Sequence, residues 1–349
     1  MRHIAILRFS ALGDIAMTVP VVDCLARQYP DLRITVVSRP FVAPLFEHLP
    51  QNVDFFPVDL RKDYVGLRGL WRLARQLKRH GVDAVADFHN VLRTIVIRRI
   101  LQFHGLRVAH IDKGRAEKRR LVAHTSHKRL PSSFERYNKV LAHLGLDVTL
   151  NFQRLALPAS PLIDELLGPR GKTEYLLGVA PFAAHRGKIY PTGKLAEALA
   201  LILEQRPSTR LFVFGTPREM DTIRKEWDDR FPRIVFVSDT LRGLGQELQL
   251  MGRLDAMISM DSANMHLASL VGCPVVSIWG QTHPDAGFMG WGQMGANLVQ
   301  QELSCRPCSI FGNKPCRFGD YRCMQKISPN IIAAKVDEIF TGKKPKEIV

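Results

Sequence analysis

The chain has 349 residues, 46% hydrophobic and 23% charged, which fits a globular protein with enough chain for two cores. No apolar run nears the roughly eighteen residues of a membrane span. The opening Met1-Arg2-His3-Ile4-Ala5-Ile6-Leu7-Arg8 reads as a first strand rather than a signal peptide, because Arg8 cuts its apolar run short; a cytoplasmic location is expected. Lys and Arg number 49 against 33 Asp and Glu, a formal net charge of +16, and such an excess points to a polyanionic partner: nucleic acid, an anionic membrane or a phosphorylated substrate. Much of it is concentrated in Lys113, Arg115, Lys118, Arg119, Arg120, Lys128 and Arg129, with Glu117 the one opposing charge in that stretch.

Short apolar runs predict strands at 3–9, 33–38, 53–58, 83–88 and 106–111. Helical spacing appears over 67–79 and 91–103, with Leu67, Leu70, Trp71, Ala74 and Leu77 expected on one face. Strands alternating with helices imply a parallel sheet covered on both sides. Pro- and Gly-rich stretches at 157–161 and 168–172 read as a linker. The alternation then resumes with strands at 175–182, 210–215, 234–238, 256–260 and 274–279, and helices at 194–205 and 219–229. Two α/β halves predict a ligand cleft between them. The tail from Gly342 to Lys346 is expected to fray.

Four strand-to-helix corners carry polar groups. The first strand ends in Arg8-Phe9-Ser10-Ala11-Leu12-Gly13-Asp14, which sets Asp14 at the carboxyl edge of the sheet as a base or as a helix cap. This is not a G-x-G-x-x-G fingerprint, so a dinucleotide site is not expected. The 182–191 loop offers small residues and Lys188 for an anion. Glu219, after Gly215, suits either ribose hydroxyls or the first turn of a helix. In Asp261-Ser262-Ala263-Asn264-Met265-His266, the amides of Ser262 and Ala263 open a helix and suit a diphosphate. Asp261 would repel phosphate and fits sugar hydroxyls or a cap instead. His266, one turn in, reads as structural or as a ligand contact.

In order and spacing these corners resemble glycosyltransferase family 9, the heptosyltransferases of the lipopolysaccharide inner core. The resemblance rests on Ser10-Ala11-Leu12-Gly13-Asp14, Lys188-x-x-Pro191, Gly215-x-Pro217-x-Glu219 and Asp261-Ser262-x-x-x-His266, and it extends over nearly the whole chain. It implies an α/β GT-B fold, two Rossmann-like domains with parallel sheets facing across a cleft. The acceptor-binding domain would span 1–165 and the donor-binding domain 172–330, with a C-terminal helix in 331–349 crossing back to the first. It implies Asp14 as general base, Lys188 on the diphosphate and Glu219 on the ribose. Ser262, Ala263 and His266 would line the phosphates, with Asp261 near the sugar. Ala183 and Ala184 stand where some relatives carry hydroxyls, and Ala263 where glycine is frequent, so backbone contacts must serve there. The expected donor is ADP-heptose, the expected reaction inverting, with no cofactor required for catalysis.

The basic surface suits an anionic glycolipid acceptor of the Kdo–lipid A type, reached by peripheral contact with an anionic membrane at the cytoplasmic face. His89, Asn90 and Arg93 follow a first-half strand and are acceptor candidates, with Arg119, Arg120 and Arg136 behind them. A monomer is expected. Cys305, Cys308, Cys316 and Cys323 have three readings: a structural zinc, free thiols or disulfides. Two competing functions are a nucleotide-sugar epimerase of the same architecture and a basic nucleic-acid-binding protein. The second lacks an aromatic-rich strand motif, a helix-turn-helix pattern or a finger spacing, so no nucleic-acid partner is expected.

Overall fold

The structure is a computed structural model that describes residues 1–293 and 295–342. It divides into two compact units. The first holds Met1–Arg115 and Pro131–Leu155, and the second holds Ala116–Leu130 together with the chain from Ala156 onward.

The first unit is built on β1 (His3–Leu7), β2 (Arg33–Ser38), β3 (Val53–Pro57), β4 (Ala84–Asp87) and β5 (Arg107–His110), all parallel, in the order β3-β2-β1-β4-β5. Every residue of β1 and β4 is buried, as expected where helices cover both faces of a sheet. The strand order reverses between β1 and β4, which makes their carboxyl ends the natural ligand position. The Gly66–Arg79 helix buries Leu70, Leu73, Ala74 and Leu77 against this sheet's core. Leu67 and Trp71, expected on that face, are instead 72% and 49% exposed. Leu73 takes up the buried arc that the sequence pattern had assigned to them.

The second unit continues with β6 (Leu176–Ala180), β7 (Arg210–Val213), β8 (Ile234–Phe236), β9 (Ala256–Met260), β10 (Val275–Trp279) and β11 (Leu298–Gln300). They too are parallel, in the order β11-β10-β9-β6-β7-β8. Here the reversal falls between β6 and β9. The three-residue β11 is too short to leave a sequence pattern. The helix expected over 219–229 is two helices, Pro217–Asp221 and Arg224–Arg230. At the break the Thr222 hydroxyl donates to the Glu219 carbonyl at 2.7 Å, a side-chain bond that competes with helix continuation.

The division differs from the expected boundary at one segment. Residues 116–130 belong to the second unit, where Leu121 and Leu130 pack with Ala286, Phe288 and Ile310 and the Leu130 amide donates to the Asp285 carbonyl at 2.8 Å. The helix Pro329–Phe340 packs within the second unit. Ile332, Ala333 and Val336 are buried in the second unit's core beside Leu195, Leu199 and Ile202 of the Thr192–Gln205 helix. Arg206 pairs with Asp337 at 2.7 Å, and Tyr175 stacks on Phe340 at 4.2 Å. The apolar stripe of this helix is thus satisfied locally. The rest of the 331–349 expectation, and of the frayed tail, lies in 343–349, outside the described residues.

Candidate active site

The edge of the first unit is organised by Arg8, which follows β1. Its guanidinium donates to the Phe88 carbonyl at 2.6 Å and meets the Asp14 carboxylate at 2.5 Å. Asp14 also accepts from the Ala11 amide at 3.3 Å, and its carbonyl accepts from the buried Tyr137 hydroxyl at 3.2 Å. Phe88 stacks on Tyr137 at 4.6 Å, which fixes that hydroxyl. The Asp14 carboxylate remains 31% exposed, so it is oriented by the fold and still reachable. Base and cap are therefore not exclusive readings of this residue.

From the next strand over, β4, comes a second group. Asp87, wholly buried, accepts from the amides of His89 (2.9 Å) and Asn90 (2.7 Å) and pairs with Arg98 at 2.9 Å. Asn90 has φ +47°, a left-handed conformation that asparagine tolerates. Its amide nitrogen donates to the Ile111 carbonyl and its oxygen accepts from Arg98, so its side chain ties β4 to β5. His89 is 8% exposed, with Nε2 3.3 Å from the Ser10 hydroxyl. Burial, reinforced by Arg8 and Lys113, pushes its pKa down to about 3, so the ring is neutral near pH 7. Burial, then Arg8 and Arg115, also lowers the Lys113 ammonium. The His89 ring thus sits in a cationic field from Arg8, Lys113 and the exposed Arg93, while Asp14 and Asp87 both face Lys113.

The remaining acceptor candidates separate. Arg136 is spent on the carbonyls of Pro131 (3.3 Å) and Asp112 (3.2 Å). Arg119 and Arg120 are exposed on the Arg115–Val122 helix, in the segment assigned to the second unit.

In the second unit, the loops after β6 and β9 meet at the strand-order reversal. Lys188 Nζ lies 2.9 Å from Asp261 Oδ2, and their side chains are 17% and 4% exposed. The sequence reading kept these two apart, one for phosphate and one for sugar; the fold pairs them. Gly312 lies over Lys188 at φ +70°, where an added Cβ would come within 2.6 Å of the lysine Cγ. Ser262 is the N-cap of the Ala263–Leu270 helix, and its hydroxyl is 3.2 Å from that of Ser259 rather than on the helix's own amides. The first amides of a helix have no intrahelical acceptor, and that end carries a partial positive charge. His266 lies in the first turns of this helix, 7% exposed. Ala183 is half-buried and Ala184 exposed in the β6 loop.

Glu219 closes a reciprocal cap: its carboxylate accepts from the Thr216 amide and hydroxyl, each at 2.8 Å, while its own amide reaches the Thr216 hydroxyl at 3.4 Å. The helix-start reading is therefore real for Glu219. Sequence reading places Gln281 in a sheet-edge loop at 280–282 and gives it no role. It is wholly buried after β10, and its side-chain oxygen and nitrogen find no hydrogen-bond partner among the described residues. An added Cβ on Gly187 would fall 1.8 Å from that oxygen, so only glycine fits there. The Gln281 amide donates to the Gly187 carbonyl at 2.9 Å, which links the β10 loop to the Lys188 loop. The signal available was the pair Gly280-Gln281 following a buried strand.

No disulfide joins the four clustered cysteines in the structure. Among the described residues no group of three or more His, Cys, Asp or Glu is placed to hold a metal ion. Burial raises Cys308 and pushes Cys323 up to about 11, with the neighbouring thiols adding to the shift. Their loop is anchored by buried Arg306, which donates to the carbonyls of Gly280, Gln301 and Thr282.

Two parallel-sheet units, each with its polar groups at the point where strand order reverses, have the GT-B architecture of nucleotide-sugar enzymes. A family model for glycosyltransferase family 9 (heptosyltransferase) matches residues 70–321, and the chain belongs to that family. It is 23% identical over 299 residues to lipopolysaccharide heptosyltransferase 1 of Campylobacter coli, covering 80% of this chain and 84% of the relative. The fold is similar to that of the family 9 glycosyltransferase from Veillonella parvula, with TM-score 0.75, 18% identity and 98% of each chain covered. It is similar also to the E. coli ADP-heptose lps heptosyltransferase II, with TM-score 0.72, 15% identity, 98% of this chain and 99% of that one covered.

Proposed function

We propose that the protein transfers a heptose from ADP-heptose to an anionic inner-core acceptor of the Kdo–lipid A type, with inversion at the anomeric carbon. The observation that carries the donor half is the buried Lys188–Asp261 pair beside the open start of the Ala263–Leu270 helix. A lysine and helix amides favour a diphosphate, whereas a lone buried carboxylate would oppose one. Asp261, neutralised by Lys188, can accept sugar hydroxyls without repelling the phosphates. Glu219 would hold the ribose, and His266 with the Ser262 and Ala263 amides would line the phosphates.

In the reaction the acceptor hydroxyl oxygen attacks the anomeric carbon from the face opposite ADP. The new C–O bond forms as the bond to the β-phosphate oxygen breaks. The hydroxyl proton passes to the Asp14 carboxylate. ADP departs with its added charge on Lys188 and the helix amides, and the positive character at the sugar carbon resembles that in glycoside hydrolysis. Arg8 holds Asp14 in place. His89, Arg93 and Lys113 would meet the anionic groups of the acceptor, with the neutral His89 ring serving as a hydrogen-bonding partner. We place this work at the cytoplasmic face of a membrane, by peripheral contact. No step is assigned to the cysteine cluster.

The test of the base is Asp14→Asn. Its kcat should fall about 10²–10⁴-fold, the range of general base catalysis, with ADP-heptose affinity unchanged. Near-normal turnover in that variant would remove Asp14 from the mechanism.

A further inference from the structure

The outer face of the Gly66–Arg79 helix is unused by the reaction above, and it is built unlike an ordinary solvated face. Arg68, Arg72, Arg75 and Arg79 repeat at four, three and four residues, which lines them along one side of the helix. The helix contains no Asp or Glu, and among the described residues none of the four arginines is ion-paired. Such a row works against the helix. Like charges one turn apart repel, and Arg68 lies near the N-terminal end, where the dipole favours anions. Beside this row, Leu67 and Trp71 stand one turn apart and 72% and 49% exposed, with the Arg75 guanidinium 5.3 Å from the Trp71 ring centre. Gln76 joins these side chains along an open recess on the helix surface. The opposite side of the helix is locked into the core by Leu70, Leu73, Ala74 and Leu77, so the helix keeps this row on its solvent side, with Arg72 over the Tyr64 ring at 5.5 Å.

We propose that this face docks the protein on an anionic phospholipid bilayer, with Trp71 and Leu67 entering the headgroup layer and the four arginines on lipid phosphates. Charge complementarity selects the occupant. A second copy of this face would bring arginines against arginines. A nucleic acid would be met by the arginines but would leave Leu67 in water. A bilayer surface supplies phosphates and apolar depth together, and tryptophan with arginine is the combination that settles at that interface. The inference rests on the peripheral membrane contact proposed above and names the face that makes it; it needs no step of sugar transfer, so the docking face and the transfer reaction can fail separately.

The experiment is co-sedimentation of the full chain with vesicles of phosphatidylglycerol and phosphatidylethanolamine, against vesicles of phosphatidylcholine alone. Binding should require phosphatidylglycerol and weaken as salt rises. Arg72→Gln with Arg75→Gln should weaken it about 30-fold, at the usual contribution per basic residue near a charged surface, and Trp71→Ser about tenfold. Both variants should unfold like the parent and turn over a water-soluble, deacylated acceptor at the parental rate, because neither alters the core or the reaction site. Fluorescence should show Trp71 moving to an apolar environment with anionic vesicles. Unchanged vesicle binding in both variants would overturn the assignment, as would equal binding to phosphatidylcholine. Tighter binding to a nucleic-acid duplex than to vesicles, lost in the same variants, would reassign the face to that partner.

Discussion

Replacing Lys188 by methionine tests the donor half through two separate readouts. The Asp261 side chain is 4% exposed and has the Lys188 ammonium at 2.9 Å. Methionine keeps most of the volume that Gly312 covers but leaves Asp261 buried without a counter-charge. Breaking one side of a buried pair costs about 3–5 kcal/mol. For a unit of this size each kcal/mol lowers the melting temperature by roughly 2–4 °C, so the variant should melt about 6–20 °C below the parent. Adding Asp261→Asn should recover most of that loss, because the uncompensated charge is gone. Activity should not follow. Lys188→Met should lower kcat by about 10²–10³-fold, the usual effect of removing one group that stabilises a leaving charge, and the double variant should stay as slow. Scanning calorimetry on the four proteins of this cycle, with initial rates on ADP-heptose, gives both numbers. Strictly additive stability effects would show that the pair does not interact. A double variant with restored turnover would show that Lys188 serves Asp261 alone and never meets the diphosphate.

Two further outcomes follow from single residues. The folded-state pKa of His89, near 3, lies below its ordinary 6.5, so on acidification the unfolded chain takes up this proton first. The stabilisation is complete above about pH 6.5 and is lost as pH falls toward 3, at about 1.4 kcal/mol per pH unit. Denaturant unfolding should therefore show the parent losing about 2 kcal/mol more than His89→Asn between pH 6.5 and 5; parallel curves would contradict the buried neutral ring. For Glu219, alanine should remove the cap and cost about 1 kcal/mol, while glutamine, which also closes such a cap, should keep stability and raise the KM for ADP-heptose about tenfold through lost ribose contacts. An unchanged KM in the glutamine variant would leave Glu219 with the cap alone.

The sheets were legible because strands covered on both faces are continuous apolar runs, and β2 and β9 carry the expected bounds. Pairings between distant segments were not. Asp261 and Lys188 are brought together only because β9 lies beside β6, an adjacency that no local pattern records. The same holds for Arg8 and Phe88, joined across β1 and β4. Helical periodicity misjudged Leu67 and Trp71 because a narrow arc of hydrophobic residues looks alike whether the core or some other apolar surface receives its edge. Residues 116–130 read as a continuation of the first half, since nothing local shows that Leu121 and Leu130 find their apolar partners more than a hundred residues onward. For the C-terminal helix, the stripe of Ile332, Ala333 and Val336 fits the helix beside it, a pairing with Leu195, Leu199 and Ile202 that lies over a hundred residues away in sequence. At Glu219 the sequence left cap and ribose open. The structure establishes the cap, and the ribose role rests on the variants above.

The most direct test of the whole account is mass spectrometry of the products formed by the purified full-length protein from ADP-heptose and a Kdo–lipid A acceptor, alongside a panel of other nucleotide sugars. The account predicts one heptose added to the acceptor and one ADP released, with inverted configuration at the new linkage and no product from the other donors. Transfer of a different sugar, or conversion of the donor's sugar in the absence of any acceptor, would contradict it.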